Sequence, residues 1–232
     1  MKNIIVCGAS KNLGKYISEK FDQNDKVFGL SRTKTSKKNY ISTDLSNLKD
    51  AKKALNIIKK KTKKIDAIIF CAGNSKKNYF KVPKKNDFNQ SFNFNFYPFV
   101  NLINSYLEIF KKKSTKIIVI SSIAGVKNIK APITYSIAKN ALNFYCMILA
   151  KELAKQKVII NIISPGNILM KNNNWDKKLK KKNKEVKNYI YENVPNNKFC
   201  NAYEIYKICE LIIKNETNFL GSNIVIDGGQ TL

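Results

Sequence analysis

Tyr135 and Lys139 lie four residues apart in the segment TYSIAKNAL, in a chain that contains no histidine. On a helix this spacing brings the two side chains within ~40° of the same face, so the ammonium group can lie beside the phenol. A phenol has a reference pKa of about 10, and a neighbouring cation favours its ionised form. The pair therefore indicates a general acid or base that works without imidazole, although an exposed lysine beside a packed tyrosine has the same spacing.

A further candidate for chemistry, Ser122, ends the apolar run KIIVISS upstream of the tyrosine. If this run is a strand of a parallel sheet, the hydroxyl lies at the carboxyl edge, where the tyrosine helix would pass. A hydroxyl there can donate a hydrogen bond to a carbonyl oxygen on which negative charge develops. Ser121 is equally eligible on this reasoning, and a simple turn residue is the alternative.

The N-terminal segment VCGASKNLGKYI has the pattern of a phosphate-binding turn. Gly8 and Gly14 stand where a tight turn and close helix packing leave no room for a Cβ atom. The following helix would offer unpaired N–H groups and the positive end of its dipole to a pyrophosphate. Two glycines after a strand are a weak signal alone, so the turn indicates a nucleotide only together with the residues above.

The basic charge of the chain is large but evenly spread. The 232 residues include 43 lysines and arginines and 16 acidic residues, which gives a net charge of +27. This excess is compatible with nucleic-acid binding, but it accompanies abundant asparagine and isoleucine along the whole length. The lysines at 49–64 form the polar face of an amphipathic helix, whose apolar stripe behind a Ser46 cap comprises Leu48, Ala51, Leu55 and Ile58. We therefore expect a solvated lysine-rich surface and no nucleic-acid partner.

The five cysteines indicate reduced thiols. They include no C-x-x-C pair, and four lie within apolar segments, so we expect no disulfide framework, no zinc site and no other metal site. The N-terminal apolar run is too short for a signal sequence or a membrane span. These features predict a cytoplasmic protein.

Short runs rich in Ile and Val alternate with longer segments of helical periodicity, which predicts a parallel sheet with helices on both faces. The predicted strands are 3–7, 26–31, 40–43, 66–71, 116–121, 157–163 and 223–226, and the predicted helices are about 13–22, 47–62, 88–112, 134–156 and 201–214. No linker divides the chain. The fold class is therefore α/β, with one doubly wound parallel sheet of about seven strands in a single domain over 1–232. Ligands of such sheets bind at the carboxyl ends of the strands.

Helices 88–112 and 134–156 are apolar around most of their circumference. A helix of this kind needs cover on more than the side that faces the sheet. We predict that both helices form a subunit interface of a homo-oligomer, a dimer or tetramer. The alternative is that a neighbouring helix of the same chain covers them.

Together these motifs resemble the classical short-chain dehydrogenase/reductase (SDR) family, and the resemblance covers essentially the whole chain. The segment CGASKNLG corresponds to the family's glycine motif T-G-x-x-x-G-x-G, and the family's catalytic residues fall on Ser122, Tyr135 and Lys139. Further matches are Asp44 in STDLS, Asn95 in FNFNFYPF, Pro165 and Gly166 in SPGNI, and the C-terminal segment FLGSNIVIDGG. The resemblance implies a Rossmann fold.

The resemblance also implies hydride transfer between a nicotinamide and a substrate carbonyl carbon. Ser122 would hold the carbonyl oxygen and Tyr135 would protonate it. Lys139 would bind the nicotinamide ribose and lower the pKa of the tyrosine, and Asn95 would position a water that relays protons to Lys139. The residues implied for cofactor binding are Gly8, Ser10, Lys11, Asn12, Leu13, Gly14, Ser31, Arg32, Asp44, Leu45, Ala72, Gly73, Tyr135, Lys139, Pro165, Gly166 and Ile168.

Arg32 is the only arginine of the chain, and it indicates which nicotinamide cofactor is used. An acidic residue after the second strand accepts a hydrogen bond from the ribose 2′-hydroxyl of NAD, whereas a basic residue accommodates the 2′-phosphate of NADP. A guanidinium can bind that phosphate through two hydrogen bonds. The resemblance adds Lys11, at a position typical of NADP-dependent members. We therefore predict NADP(H) as the cofactor.

The chain departs from the family pattern at three places. Asn12 replaces the middle glycine of the turn, and asparagine tolerates left-handed backbone better than most residues. Phe70 and Cys71 replace two asparagines, which removes two amides from the edge of the sheet. Met170 replaces a threonine that contacts the carboxamide end of the nicotinamide, so the placement of the cofactor could be looser.

The segment after Gly166 covers the substrate in the family, which predicts a lid at about 167–195. It contains Asn172 to Asn174, Trp175 and eight lysines between 171 and 187. A basic lid would suit an anionic or carrier-linked carbonyl substrate, such as a 3-oxoacyl thioester or a keto-sugar, although coding bias explains the lysines equally well.

We predict an NADP(H)-dependent carbonyl reductase that resembles the 3-oxoacyl-carrier-protein reductases. The alternatives are an NAD-dependent alcohol dehydrogenase of the same family and a non-catalytic protein on the same fold that senses nucleotides or binds nucleic acid. An epimerase or dehydratase of the extended branch would need a longer C-terminal substrate domain.

Overall fold

Nine strands occur in the computed structural model, which describes residues 1–75, 82–111, 114–171, 173–215 and 218–232. They are β1 (Asn3–Cys7), β2 (Lys26–Ser31), β3 (Tyr40–Ser42), β4 (Ala67–Phe70), β5 (Thr115–Ile120), β6 (Val158–Pro165), β7 (Ile168–Leu169), β8 (Cys200–Asn201) and β9 (Asn223–Ile226). Seven form a parallel sheet in the order β3-β2-β1-β4-β5-β6-β9, and β7 pairs with β8 in a small separate sheet. The α/β class and the seven predicted strands are confirmed.

The order of the strands reverses between β1 and β4. From β1 the chain passes to β2 and β3 on one side, and it then returns to β4 and continues to the other side. A crevice forms where two neighbouring connections leave a sheet in opposite directions, and this is where ligands bind in doubly wound folds. The turns after β1 and β4 therefore border the expected ligand site.

Eight α-helices occur in the described part of the chain. They are α1 (Asn12–Phe21), α2 (Leu48–Lys61), α3 (Lys85–Asn95), α4 (Tyr97–Phe110), α5 (Ile133–Ala154), α6 (Asn174–Lys181), α7 (Asn183–Asn193) and α8 (Ala202–Lys214). One face of the sheet packs on α2, α4 and α5, and the other face packs on α1 and α8. The inner strands β1, β2, β4, β5 and β6 are buried on both faces, which explains their nearly continuous apolar sequences, whereas the edge strands β3 and β9 are partly exposed.

The single helix predicted over 88–112 is wrong in one respect. The structure divides it at Phe96, which has φ −121° and ψ −62°, into α3 and α4, and residue 112 lies outside the described residues. Pro98 stands in the first turn of α4, where its missing N–H group leaves no hydrogen bond unmade. The proline thus begins a new helix instead of continuing the old one.

The N-terminus of α2 also differs from the prediction. Its cap is Asn47, whose side chain accepts hydrogen bonds from the N–H groups of Lys49 and Asp50, and not Ser46. The side chain of Leu48 is 42% exposed and does not belong to the buried stripe of the helix. The buried residues of α2 are Ala51, Ala54, Leu55 and Ile58, so the rest of the predicted stripe is confirmed.

The segment predicted as a lid folds into α6 and α7 between β7 and β8, while Asn172 lies outside the described residues. It has a small apolar cluster of its own, centred on Val186, Val194 and Phe199. The rings of Trp175 and Phe199 lie 4.7 Å apart in this cluster. The lid is therefore a packed substructure beside the carboxyl edge of the main sheet.

Candidate active site

Ser122 is fixed by the 3₁₀ turn Ile123–Gly125, which begins directly after it. Its hydroxyl oxygen accepts a hydrogen bond from the N–H of Ala124 at 3.2 Å. Gly125 lets this turn lie against α5, because a Cβ atom there would come 2.6 Å from the carbonyl carbon of Lys139. The turn thus holds Ser122 beside the helix that carries the tyrosine and the lysine. Ser121, the alternative, is 6% exposed and does not line the large cavity that Ser122 lines.

Tyr135 and Lys139 converge on Ser122 from the first turns of α5. The hydroxyl of Tyr135 is hydrogen-bonded to Ser122. Lys139 is only 3% exposed, and its Nζ donates a hydrogen bond to the carbonyl oxygen of Ile120 at 3.1 Å. The same Nζ lies 6.0 Å from the centre of the Tyr135 ring. A hydroxyl, a phenol and an ammonium group therefore meet at the carboxyl end of β5.

Burial governs the ionisation of both residues on α5. It raises the pKa of Tyr135 above its usual value, and the hydrogen bond from Ser122 offsets part of that rise. It lowers the pKa of Lys139 from 10.5 to about 8. Burial sets the direction of the pKa of Tyr135 here, and the Nζ of Lys139 donates to the carbonyl oxygen of Ile120, so a lowering of the tyrosine pKa by Lys139 stays a prediction. The phenol thus carries its proton at neutral pH and is ready to act as an acid.

Asn95 connects the end of α3 to the turn after β4. Its Oδ1 accepts a hydrogen bond from the N–H of Asn74 at 2.9 Å, and its Nδ2 donates to the carbonyl oxygens of Asn74 at 3.0 Å and Ser91 at 2.9 Å. The hydroxyl of Ser91 in turn donates to the carbonyl oxygen of Thr134, next to Tyr135, at 2.9 Å. Asn95 is fully buried, so these bonds fix the turn and the tyrosine helix relative to each other. The predicted water relay at Asn95 stays a prediction.

The turn after β1 has the form that a bound phosphate group requires. Gly8 has φ +78°, and a Cβ atom at Gly14 would lie 2.4 Å from the carbonyl oxygen of Gly8. Asn12 has φ +49°, which agrees with the expectation that asparagine can replace glycine there. No side chain caps the N-terminus of α1, so its first N–H groups face the space beside the turn. This cradle fits the pyrophosphate of a dinucleotide.

A cavity of about 210 Å³ follows this cradle along the carboxyl edge of β1, β2 and β4. Most of the predicted cofactor residues line it: Gly8, Ser10, Lys11, Asn12, Leu13, Gly14, Ser31, Arg32, Asp44, Leu45, Ala72 and Gly73. We refer to it as the cofactor cavity. Residues missed by the sequence analysis also line it, among them Asn74, Phe94 and Pro98. The lining of the cavity fits an adenosine with its phosphates.

Three charged residues line the cofactor cavity near the end of β2 and the turn after β1. Arg32 is exposed, and its Cζ lies 5.4 Å from the centre of the Phe94 ring. Lys11 is the N-cap residue of α1 and is also exposed. Asp44 accepts hydrogen bonds from the N–H and the hydroxyl of Ser46 at 3.0 and 2.8 Å. The end of β2 therefore offers a cation and no carboxylate to a bound nucleotide.

The departures from the family pattern have structural explanations. Phe70 is buried in the core, where its ring packs on Phe99 at 5.3 Å. The N–H of Cys71 donates to the carbonyl oxygen of Cys7 at 3.1 Å, so the sheet pairing continues past the end of β4. Met170 is partly buried against the cluster between the sheet, α1 and α8. Apolar packing and backbone pairing thus take the place of the missing amides.

A larger cavity of about 1000 Å³ lies between the catalytic residues and the lid. Ser122, Tyr135, Gly166 and Ile168 line it, and Asn12 borders both this cavity and the cofactor cavity. The lid and the loop before α5 contribute Lys130, Lys177, Lys178 and Lys182. Pro165 ends β6 and Lys139 is buried, and neither belongs to the lining of this cavity or of the cofactor cavity. We refer to this larger space as the substrate cavity.

Asn74 and Ser91 are functional positions that the sequence analysis missed. Asn74 directly follows Gly73, so its place beside the family's Ala-Gly pair was an available signal. Ser91 lies one helical turn before Asn95, and nothing in the local sequence distinguishes it from other serines. Their roles depend on hydrogen bonds between elements that are distant in the chain.

The sheet order, the phosphate cradle and the Ser122–Tyr135–Lys139 cluster together define an oxidoreductase of the SDR type. A family model described as short chain dehydrogenase matches residues 2–182. The chain therefore belongs to the short-chain dehydrogenase family, and the predicted family membership is confirmed. Enzymes of this family use a nicotinamide cofactor.

Relatives extend over nearly the whole chain. The 3-oxoacyl-[acyl-carrier-protein] reductase FabG of Buchnera aphidicola subsp. Baizongia pistaciae is 27% identical over 98% of this chain and 96% of its own length. An acetoacetyl-CoA reductase of Allochromatium vinosum is 25% identical over 81% of this chain and 75% of its own. The structure of ElxO with NADP bound superposes with a TM-score of 0.88 and 25% identity over 99% of each chain.

Proposed function

We propose that this protein is an NADP(H)-dependent reductase that converts a carbonyl to an alcohol. The observation that carries the proposal is the cluster of Ser122, Tyr135 and Lys139, in which a protonated phenol faces the substrate cavity beside a buried ammonium group. The two cavities adjoin at Asn12, so a cofactor in one can reach a substrate in the other. We also propose that residues 1–232 form a single domain. The cysteines are free and mostly buried, and on this basis we propose that the protein is located in the cytoplasm.

The side chains of the cluster divide the work of carbonyl reduction. When bound, a nicotinamide supplies the hydride. Ser122 and Tyr135 both direct hydroxyl groups toward the carbonyl oxygen, and Tyr135 transfers its proton to that oxygen as negative charge develops. Lys139, which is cationic below pH about 8, holds the ribose hydroxyls and compensates for the charge left on the phenolate. The cradle at Gly8 and Gly14 holds the pyrophosphate.

The preference for NADP(H) is supported by the basic end of β2. Arg32 and Lys11 both line the cofactor cavity, and the nearby carboxylate of Asp44 accepts hydrogen bonds from Ser46. The similarity to ElxO, whose structure has NADP bound, agrees with this reading. We expect Arg32→Asp to weaken NADPH binding at least tenfold and to leave NADH binding nearly unchanged. The change Lys34→Asp, at an exposed site outside the cavity, is the matched control. An equal loss for both cofactors would refute the preference.

The proposed substrate is a 3-oxoacyl thioester on an acidic carrier. Four lysines line the substrate cavity, whereas Glu185, the acidic residue in the described lining, is paired with Lys182 at 2.9 Å. The names of the FabG and acetoacetyl-CoA reductase relatives both specify a thioester of a 3-oxo acid as the substrate. A keto-sugar remains the alternative substrate. NADPH consumption against 3-oxoacyl thioesters, simple ketones and keto-sugars tests this choice directly.

A charge-reversal variant distinguishes recognition of the carrier from recognition of the acyl group. We expect Lys177→Glu to raise KM for a carrier-linked thioester several-fold and to leave KM for a small uncharged thioester unchanged. Lys181→Glu makes the same change on the same helix outside the cavity and is expected to have little effect. Equal effects of the two reversals would show that the lid lysines act only through the general charge of the surface.

We also propose that the protein is a homo-oligomer through α4 and α5. The outer face of these helices exposes a set of large apolar side chains: Tyr97, Ile133, Ile137, Phe144, Met147 and Ile148. Part of the aromatic surface is covered within the chain, since Phe96 packs on Tyr145 at 5.5 Å. The remaining patch is apolar in an otherwise strongly basic surface, and a second copy of the same face avoids placing lysines opposite one another.

None of the helices in the described part of the chain meets both the length and the hydropathy of a membrane span.

A further inference from the structure

Arg32 contacts an aromatic ring that comes from a different wall of the cofactor cavity. Its Cζ lies 5.4 Å from the centre of the Phe94 ring, within the usual range of a cation–π contact. Arg32 follows β2, whereas Phe94 belongs to α3, and both residues line the cofactor cavity. The contact therefore joins the strand side of the cavity to its helix side.

The guanidinium group is not held by a carboxylate in the described part of the chain, where no acidic side chain lies within ion-pair distance of it. Asp44 lines the same cavity, but its carboxylate accepts hydrogen bonds from Ser46. An exposed arginine loses much rotational freedom when it binds a ligand. A ring that already orients the guanidinium reduces this loss.

The contact with Phe94 leaves N–H donors of the arginine for a ligand. A guanidinium carries five N–H donors in a rigid fork, more than one aromatic ring can engage. Those donors are the groups that pair with the oxygens of a phosphate. The ring can thus fix the orientation of Arg32 without competing for its hydrogen bonds.

We propose that Phe94 is a positioning residue that orients Arg32 toward the 2′-phosphate of the cofactor and so contributes to the choice of NADP(H) over NAD(H). This inference rests on the proposed function, because it assumes that the cofactor cavity binds a nicotinamide dinucleotide. Phe94 directly precedes Asn95, which is fully buried and held by its own hydrogen bonds to Asn74 and Ser91. Phe94 also borders a small cavity with Tyr135, so the effect of removing the ring is measured by nucleotide binding and not by activity.

The test measures the binding of two nucleotides that lack the nicotinamide. Adenosine 2′,5′-bisphosphate carries the phosphate that Arg32 would bind, and adenosine 5′-monophosphate does not. We expect Phe94→Leu to weaken binding of the bisphosphate about two- to fivefold and to leave the monophosphate unchanged. Phe94→Tyr keeps an aromatic face and should restore the affinity. Phe92→Leu makes the same replacement on α3 at a ring that packs on Phe96 outside the cavity, so it is the matched control.

The same replacement in a variant that lacks Arg32 shows whether the ring acts through the arginine. In Arg32→Gln the guanidinium is absent, so if the ring acts through it, adding Phe94→Leu should cause no further loss of bisphosphate binding. If Phe94→Leu causes the same loss of bisphosphate binding in the Arg32→Gln variant as in wild type, the proposal is overturned. An equal loss for both nucleotides would also overturn it, because the ring would then contact the base itself. Wild-type protein that binds the two nucleotides equally would instead refute the NADP(H) preference, which keeps the two failures distinct.

Discussion

Replacing Lys139 by methionine should stabilise the protein in the absence of cofactor while removing its activity. Burial lowers the pKa of Lys139 from 10.5 to about 8. Each pH unit of such a displacement corresponds to ~1.36 kcal/mol, so the buried ammonium group destabilises the fold by roughly 3 kcal/mol below pH 8. Methionine fills a similar volume and forfeits the hydrogen bond to Ile120, which costs about 1 kcal/mol. The expected gain is roughly 2 kcal/mol at pH 7.

The pH dependence identifies the cause of this gain. The folded protein binds the proton of Lys139 less tightly than the unfolded chain, so stability rises with pH between about 8 and 10.5. The free energy of unfolding, measured with urea, should therefore be higher for Lys139→Met than for wild type. This difference should be largest at pH 7 and should shrink towards pH 10. Lys151→Met, at an exposed lysine of the same helix, should show no such difference. A variant that is less stable than wild type at pH 7, or a gap that does not change with pH, would refute the reasoning.

The remaining predictions concern the proton donor, the cradle and the oligomer. Tyr135→Phe should abolish NADPH oxidation and retain NADPH affinity, as measured by fluorescence titration, and undiminished turnover would exclude the proposed acid. Gly14→Ala should lower nucleotide affinity at least tenfold, because its methyl group would lie 2.4 Å from the carbonyl oxygen of Gly8; unchanged affinity would show that the turn can open at little cost. Phe144→Glu, at a residue 63% exposed, should reduce the sedimentation coefficient to that of a monomer and leave the folded core intact. A wild-type protein that already sediments as a monomer would contradict the oligomer.

The sheet and the catalytic cluster could be predicted because their signals are local. Strands buried on both faces must be apolar at every position, and β5 and β6 show this in consecutive residues. The helical period places Tyr135 and Lys139 on one face, and the family resemblance separated this pair from an exposed lysine beside a packed tyrosine. The break at Phe96 was also local, and Pro98 was the signal that the apolar pattern of the two helices concealed.

The lid and the cofactor contacts could not be predicted in detail because they depend on residues far apart in the chain. The apolar cluster of the lid joins Leu169 of β7 and Trp175 of α6 to Phe199 before β8, and the lysines of α6 hide the period of that helix. Likewise, Arg32 indicated a cofactor from its place after a strand, but its contact with Phe94 requires the folded arrangement of β2 and α3. The raised pKa of Tyr135 also follows from burial, which spacing does not report.

The packing of Trp175 inside the lid has a practical consequence. It is the only tryptophan of the chain, and it lies in contact with Phe199 and Tyr189 at the border of the substrate cavity. Fluorescence that is excited selectively in tryptophan therefore comes from Trp175 alone. The native protein therefore carries a fluorescent probe at the border of the substrate cavity, and this probe needs no attached label.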